Sequence, residues 1–186
     1  MFLNVFGYPE TISSDGRMFI YHNAANLSMV ALLGTNNPPR PLWDSKSQLY
    51  NAELSPDGRW VAYQSNESGR FEIYVHPFPD LKAGRWQVTF AGGAYPGWTG
   101  NGRELAFIAG DGRMNVLPVQ TTPSFASGNA TPLFATSDFF LGIARTYDLS
   151  PSGDRFVMLR VGREAEVAAN REVVVTSNWL GQLRPR

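Results

Sequence analysis

The chain has 186 residues, 43% of them apolar and 17% charged, with 16 basic residues against 16 acidic ones. That length carries one domain with a sizeable core, and the 18 glycines and 13 prolines describe a loop-rich globular chain, not a disordered one. Balanced charge supplies no field for nucleic acid or an anionic membrane, the lack of cysteine excludes disulfides and thiolate metal sites, and the longest apolar run, Met29 to Leu33, is far short of the roughly 20 residues a membrane helix needs.

The start, MFLNVFGYPE, has no basic segment and too short an apolar stretch for an export signal, so the compartment is left open. From there a glycine turn recurs down the chain: SSDG at 13–16, SPDG at 55–58, TGNG at 99–102 and SPSG at 150–153. Asp15 and Asp57 are 42 residues apart, Asp57 and Asn101 are 44 apart, and Asn101 and Ser152 are 51 apart. A period in the forties built from strands and turns marks a propeller blade. Before each turn a short strand ends on an apolar residue: Ile12, Leu54, Trp98 and Leu149. After it a second strand is apolar at alternate positions: Phe19 and Tyr21, Val61 and Tyr63, Leu105 and Phe107, Phe156 and Met158. Third strands are expected near 28–33, 71–76, 113–118 and 172–176, and outer strands near 40–43, 85–89 and 131–135. The fold class is therefore all-β, with four blades at about 9–43, 51–89, 95–135 and 144–186. No outer strand is legible after Val175, and the N-terminal FLNVF is the expected donor of one, so that residues 1–7 complete the last blade. Asp15 and Asp57 are read as turn formers: Asp or Asn bonds nearby amides while glycine takes the left-handed conformation.

Across residues 48–118 the sequence resembles the TolB-like, WD-repeat-like six-bladed β-propellers. The stretches AELSPDGRWVAYQSNESGRFEIYV (52–75) and GRWQVTFAGGAYPGWTGNGREL (84–105) carry the likeness. TPSFASGNATPLF (122–134), SPSGDRFVML (150–159) and VVVTSNW (173–179) follow in the same order. The resemblance is strongest to propellers found C-terminal to bacterial serine/threonine protein kinases. It implies a sensing or interaction role, extracytoplasmic or periplasmic by analogy. The chain departs from that pattern in two ways. It has no glycine-rich loop, His-Arg-Asp or Asp-Phe-Gly motif of a kinase, and it has four repeats where six need roughly 250 residues. The expectation is a ring closed by the four blades themselves or completed by another copy.

A search for chemistry finds no catalytic set. No Gly-x-Ser-x-Gly elbow is present, and two histidines, His22 and His76, fall short of a three-histidine metal site. They are expected as bystanders on opposite rims. AGGAYPG at 91–97 is glycine-rich but opens no helix, so it is no phosphate cradle. Glu53 and Asp148 are the acids read on inner strands and the one pair to weigh for hydrolysis, with solvated channel walls as the plainer reading.

Binding is what remains. The loops joining second to third strands and blade to blade gather Trp43, Tyr50, Asn51, Arg70, Tyr95 and Arg145 on one rim, and aromatic residues with arginine anchor interfaces. The expected function is a non-catalytic propeller module binding a protein, peptide or small ligand, with no cofactor and no metal. The alternative is a fragment of a larger propeller-bearing kinase or prolyl-oligopeptidase-type peptidase.

Overall fold

The computed structural model describes residues 7–23, 28–43, 47–139, 141–142 and 144–160, and the backbone alone of Ser28 and of 173–177. The described residues contain strands and turns and no helix, so none of helical type is long and apolar enough to cross a membrane.

Four antiparallel sheets follow one another along the chain. The first orders β1 (Gly7–Ile12), β2 (Met18–Asn23), β3 (Ser28–Leu32) and β4 (Arg40–Pro41). The second orders β5 (Leu49–Leu54), β6 (Trp60–Ser65), β7 (Glu72–Pro77) and β8 (Trp86–Gln87). The third contains β9 (Gly93–Trp98), β10 (Glu104–Ala109) and β11 (Arg113–Gln120), with β12 (Ala126–Ser127) and β13 (Thr131–Ala135) both pairing with β11. The fourth contains β14 (Tyr147–Leu149), β15 (Arg155–Leu159) and β16 (Val173–Ser177). The expected blades and the order of their strands are thus present. The FLNVF segment expected to complete the last blade lies outside the described residues, as do Asn178 and Trp179.

The recurring turn has one construction in all four blades. The serine or threonine that opens it is the centre. Ser55 Oγ donates to Asp57 Oδ1 at 2.6 Å and accepts from the Trp60 amide at 3.0 Å, while Asp57 Oδ1 accepts from the Arg59 amide at 3.1 Å. Ser13 and Asp15 repeat these bonds in the first blade, and Thr99 and Asn101 in the third. In the fourth, Ser152 stands where the others have Asp or Asn. Asp154, just past the glycine, supplies the carboxylate, accepting from Ser150 Oγ at 2.8 Å and from Ser152 Oγ. Gly16, Gly58, Gly102 and Gly153 hold φ between 67° and 71°, the left-handed region that side chains resist.

Three apolar interfaces join successive blades. Ile20, Val30 and Leu42 of the first pack on Leu54, Val61 and Tyr63 of the second. Trp60, Ala62 and Val75 pack on Trp98, Leu105 and Phe107 of the third. Ala106, Ile108 and Met114 then pack on Tyr147, Phe156 and Met158 of the fourth. Trp60 meets Trp86 edge-on at 5.5 Å with Phe125 between the blades, so both tryptophans cover a blade face.

Neighbouring residues on one strand thus serve opposite interfaces, and β6 is buried at every position. The outward faces of the first and last blades are unevenly covered. On the first, Tyr21 and Ala31 are buried while Ile12 is 56% exposed, and on the last Leu159 is 48% exposed. Among the described residues no apolar cluster joins the fourth blade to the first.

Both histidines are buried, at 4% and 8% exposure, in place of the surface positions expected for them. His76 Nδ1–H donates to Leu81 O at 2.8 Å, which leaves Nε2 to accept from Tyr63 Oη at 3.0 Å. Burial holds its pKa below the ordinary histidine value.

Replacing the serine that opens the second turn, Ser55→Ala, strands the buried Trp60 amide. Urea denaturation of the variant should show a loss of about 1–3 kcal/mol, whereas Asp57→Asn, which keeps an acceptor, should cost less than half of that.

Candidate functional site

The innermost strands β1, β5 and β9 and the segment leading into β14 line one channel. At the same offset before each turn stand Tyr8, Tyr50, Ala94 and Arg145, all at the end of the channel where the blade-to-blade connections lie. Just inside this mouth each inner strand departs from regular pairing. The register slips between Pro9 and Thr11, between Tyr50 and Glu53, and opposite Phe107 between Ala94 and Gly97. Such bulges turn side chains away from the pleat. Asn51 and Tyr95, at φ 55° and 56°, take the left-handed conformation that non-glycine residues adopt at a cost of about 1 kcal/mol or more.

Arg145 is the hub of the channel. Its Nη1 pairs with the Glu53 carboxylate and reaches Pro96 O at 3.2 Å, Nη2 lies 3.8 Å from Asp148, and the guanidinium sits 5.4 Å from the Tyr147 ring centroid. Its amide donates to Asn51 Oδ1 at 2.8 Å. One side chain therefore ties blades two, three and four. Tyr147 Oη donates to Tyr95 O at 2.5 Å, and Tyr95 Oη donates to Gly142 O at 2.6 Å. Burial raises the Tyr147 pKa, with Arg145 opposing, so the phenol stays a donor. Gly97 makes the crossing possible: a Cβ there would lie 2.8 Å from Arg145 Nη1 and 3.0 Å from Tyr147 Oη.

Between these walls is a cavity of about 390 Å³, bounded by Glu10, Asn51, Glu53, Arg145 and Asp148 and closed on the far side by Val157 and Leu159. A side pocket adjoins it, sharing Pro9, Glu10, Asn51 and Ala144, with Tyr8, His22 and Tyr50 as its other walls. Glu10 stands in the common wall. Both its carboxylate oxygens are buried without a hydrogen-bond partner. Burial pushes its pKa up to about 7, and the nearby Ala52 and Asn51 amides only partly offset that. Among the described residues no cluster of three or more His, Asp or Glu side chains is spaced to hold a metal ion.

The residues expected on one rim fall into four places. Tyr50, Asn51 and Arg145 border the cavity or its side pocket. Tyr95 packs against the cluster between the third and fourth blades. Trp43 is half-buried between the first two blades, 4.4 Å from Tyr63 centroid to centroid. Arg70 pairs with the buried Glu72 at 2.6 Å and donates to Phe90 O, so it braces the passage from the second blade to the third. Glu53 is ion-paired and mostly buried, while the Asp148 side chain is 79% exposed; the two are held by one arginine, not set apart across a cleft. Glu10 escaped the sequence reading. Its signal was its place on an inner strand, two residues before Ile12, where the other blades have Ala52, Pro96 and Tyr147.

No protein-family model matches the chain, and no curated protein matches it. Among solved structures it is similar to TolB from Acinetobacter baumannii, with a TM-score of 0.69 and 19% identity over 95% of this chain and 42% of that one. The fold is that of a TolB-like β-propeller. The Cps50 (Swd1) β-propeller domain of Myceliophteria thermophila (TM-score 0.53, 12% identity, 88% of this chain and 53% of that one) shares the architecture. So does the tricorn protease (0.54, 13%, 94% and 22%). The chain therefore spans less than two thirds of each of these three proteins.

The Glu10 carboxyl makes stability fall as pH rises. Its folded pKa lies above its ordinary value of 4.5, so its contribution is complete below about 4.5 and is lost as pH climbs through about 7. The loss is roughly 3 kcal/mol. Glu10→Gln should abolish that slope and raise the melting temperature near pH 8, read by thermal denaturation across the pH range.

Proposed function

We propose that this propeller is a non-catalytic binding module whose ligand, a peptide segment or a small molecule, enters the channel mouth. The observation that carries the reading is the cavity of about 390 Å³ with the buried, unpartnered carboxyl of Glu10 in its wall. An unpaired buried acceptor costs stability, and a ligand donor recovers that cost on binding. The arginine of the channel is already engaged by Glu53, Asp148 and Pro96 O, which leaves the acid, not the base, to meet a ligand. Among the described residues that line the channel, none combines a nucleophile with a base, and this supports binding over catalysis.

A second reading is favoured by apolar residues left exposed on the first and last blades. Ile12 and Leu159 occupy positions that a neighbouring blade would cover, and the chain spans only 42% of TolB and 22% of the tricorn protease. On this reading the four blades belong to a larger propeller-bearing assembly, a longer protein or a second copy.

Two measurements test the readings. Peptides selected on the folded chain should lose binding at least tenfold against Ala144→Trp, which fills the cavity and the side pocket together; binders indifferent to it would remove the channel from the proposal. Light scattering after size exclusion should show concentration-dependent association through the exposed apolar residues; a monomer of 20.6 kDa at every concentration would end the second reading.

A further inference from the structure

We propose that the side pocket at the channel mouth, walled by Glu10, Tyr8, His22 and Tyr50, is a site for the ammonium group of a primary amine. The inference rests on the channel being a binding site and names the chemistry it takes.

Three observations meet in this pocket. The first is charge. Among the described residues Glu10, Glu53 and Asp148 line the cavity with Arg145 as the basic side chain, and Arg145 is held by the latter two. The acid left over is Glu10, whose two oxygens are buried with no partner at hydrogen-bonding geometry, the Ala52 and Asn51 amides lying nearby. The second is the aromatic wall. His22 meets Tyr50 edge-on at 4.6 Å and lies 6.3 Å from Tyr8, so three rings border the pocket that the carboxyl also borders. Ring faces attract a cation electrostatically, and a carboxylate among them adds a directed partner. The third is size. The pocket has room for about 10 Å³, close to one water-sized group. An –NH₃⁺ head fits that space, and a trimethylated one does not. Tyr8 is 55% exposed, so its ring is the wall that yields to admit the head, while the ligand's body occupies the larger cavity.

The groups facing Glu10 come from four elements: Tyr8 from β1, His22 from β2, Tyr50, Asn51 and Glu53 from β5, and Arg145 with Asp148 from the segment entering β14. An ammonium ion binds the carboxylate form. With the Glu10 carboxyl titrating near 7, affinity should rise about tenfold between pH 6 and pH 8, a range in which an alkylamine stays protonated.

Isotope-labelled full chain titrated with n-butylamine, n-butanol, butyltrimethylammonium and a blocked lysine-containing peptide tests the site by amide shift changes. The amine and the peptide should move resonances of Glu10, Tyr50 and Asn51. The alcohol and the quaternary ion should bind at least tenfold more weakly. Glu10→Gln should fold with undiminished melting temperature and lose the amine response. A peptide that binds much more tightly than free amine assigns the group to a lysine side chain, and the reverse order assigns it to a small amine; either keeps the site. A pH effect that survives in Glu10→Gln overturns the assignment. Peptides that are sensitive to Ala144→Trp but ignore Glu10→Gln leave the channel standing and overturn the ammonium site. Absence of any binding overturns both.

Discussion

A propeller blade is a thin sheet whose two faces are both apolar, and no part of the sheet can cover either one. Only the neighbouring blades can. This constraint orders the molecule, from the alternation along its strands to the placement of its channel. In β6, Val61 and Tyr63 face the first blade while Trp60 and Ala62 face the third, so the strand reads as continuously apolar. In β15, Phe156 and Met158 are buried on the third blade while Val157 and Leu159 are exposed, and the alternation returns.

Stacking the blades side by side also brings their inner strands together, and there the packing is polar. The bulges on β1, β5 and β9 turn backbone and side chains toward the channel. A glycine at 97 leaves space for an arginine to cross from the fourth blade to the second. The Arg145–Glu53 pair is satisfied on every side that the channel offers. Among the described residues that leaves Glu10 as the cavity's acid without an ion-pair partner.

Much of the fold was legible because its repeat is local. The Ser/Thr to Asp/Asn turn is built within six residues, from Ser55 to Trp60 in the second blade, and its hydrogen bonds need nothing from the rest of the chain. The site was less legible. Tyr50, Asn51, Tyr95 and Arg145 were singled out as aromatic, polar and basic residues on one set of loops; three of them border the cavity or its side pocket, and Tyr95 packs between blades. Trp43 and Arg70 carried the same signal, yet one packs between blades and the other braces a connection. Residue type and loop membership do not distinguish a side chain that faces a channel from one that faces a neighbour. His22 and His76 show the same limit: a histidine at a strand end looks exposed until the adjoining blade covers it.

The sequence by itself determined the strands, the turns, the number of blades and the all-β class, because each follows from residues close together along the chain. Only the tertiary structure decided which apolar residues are covered, and that the buried Glu10 carboxyl stands between the cavity and its aromatic side pocket. Those depend on pairs such as Arg145 with Glu53 and Tyr147 with Tyr95, far apart in sequence and joined only by the stacking of blades. Burial and desolvation are set by what arrives from elsewhere in the chain, and no local pattern records it.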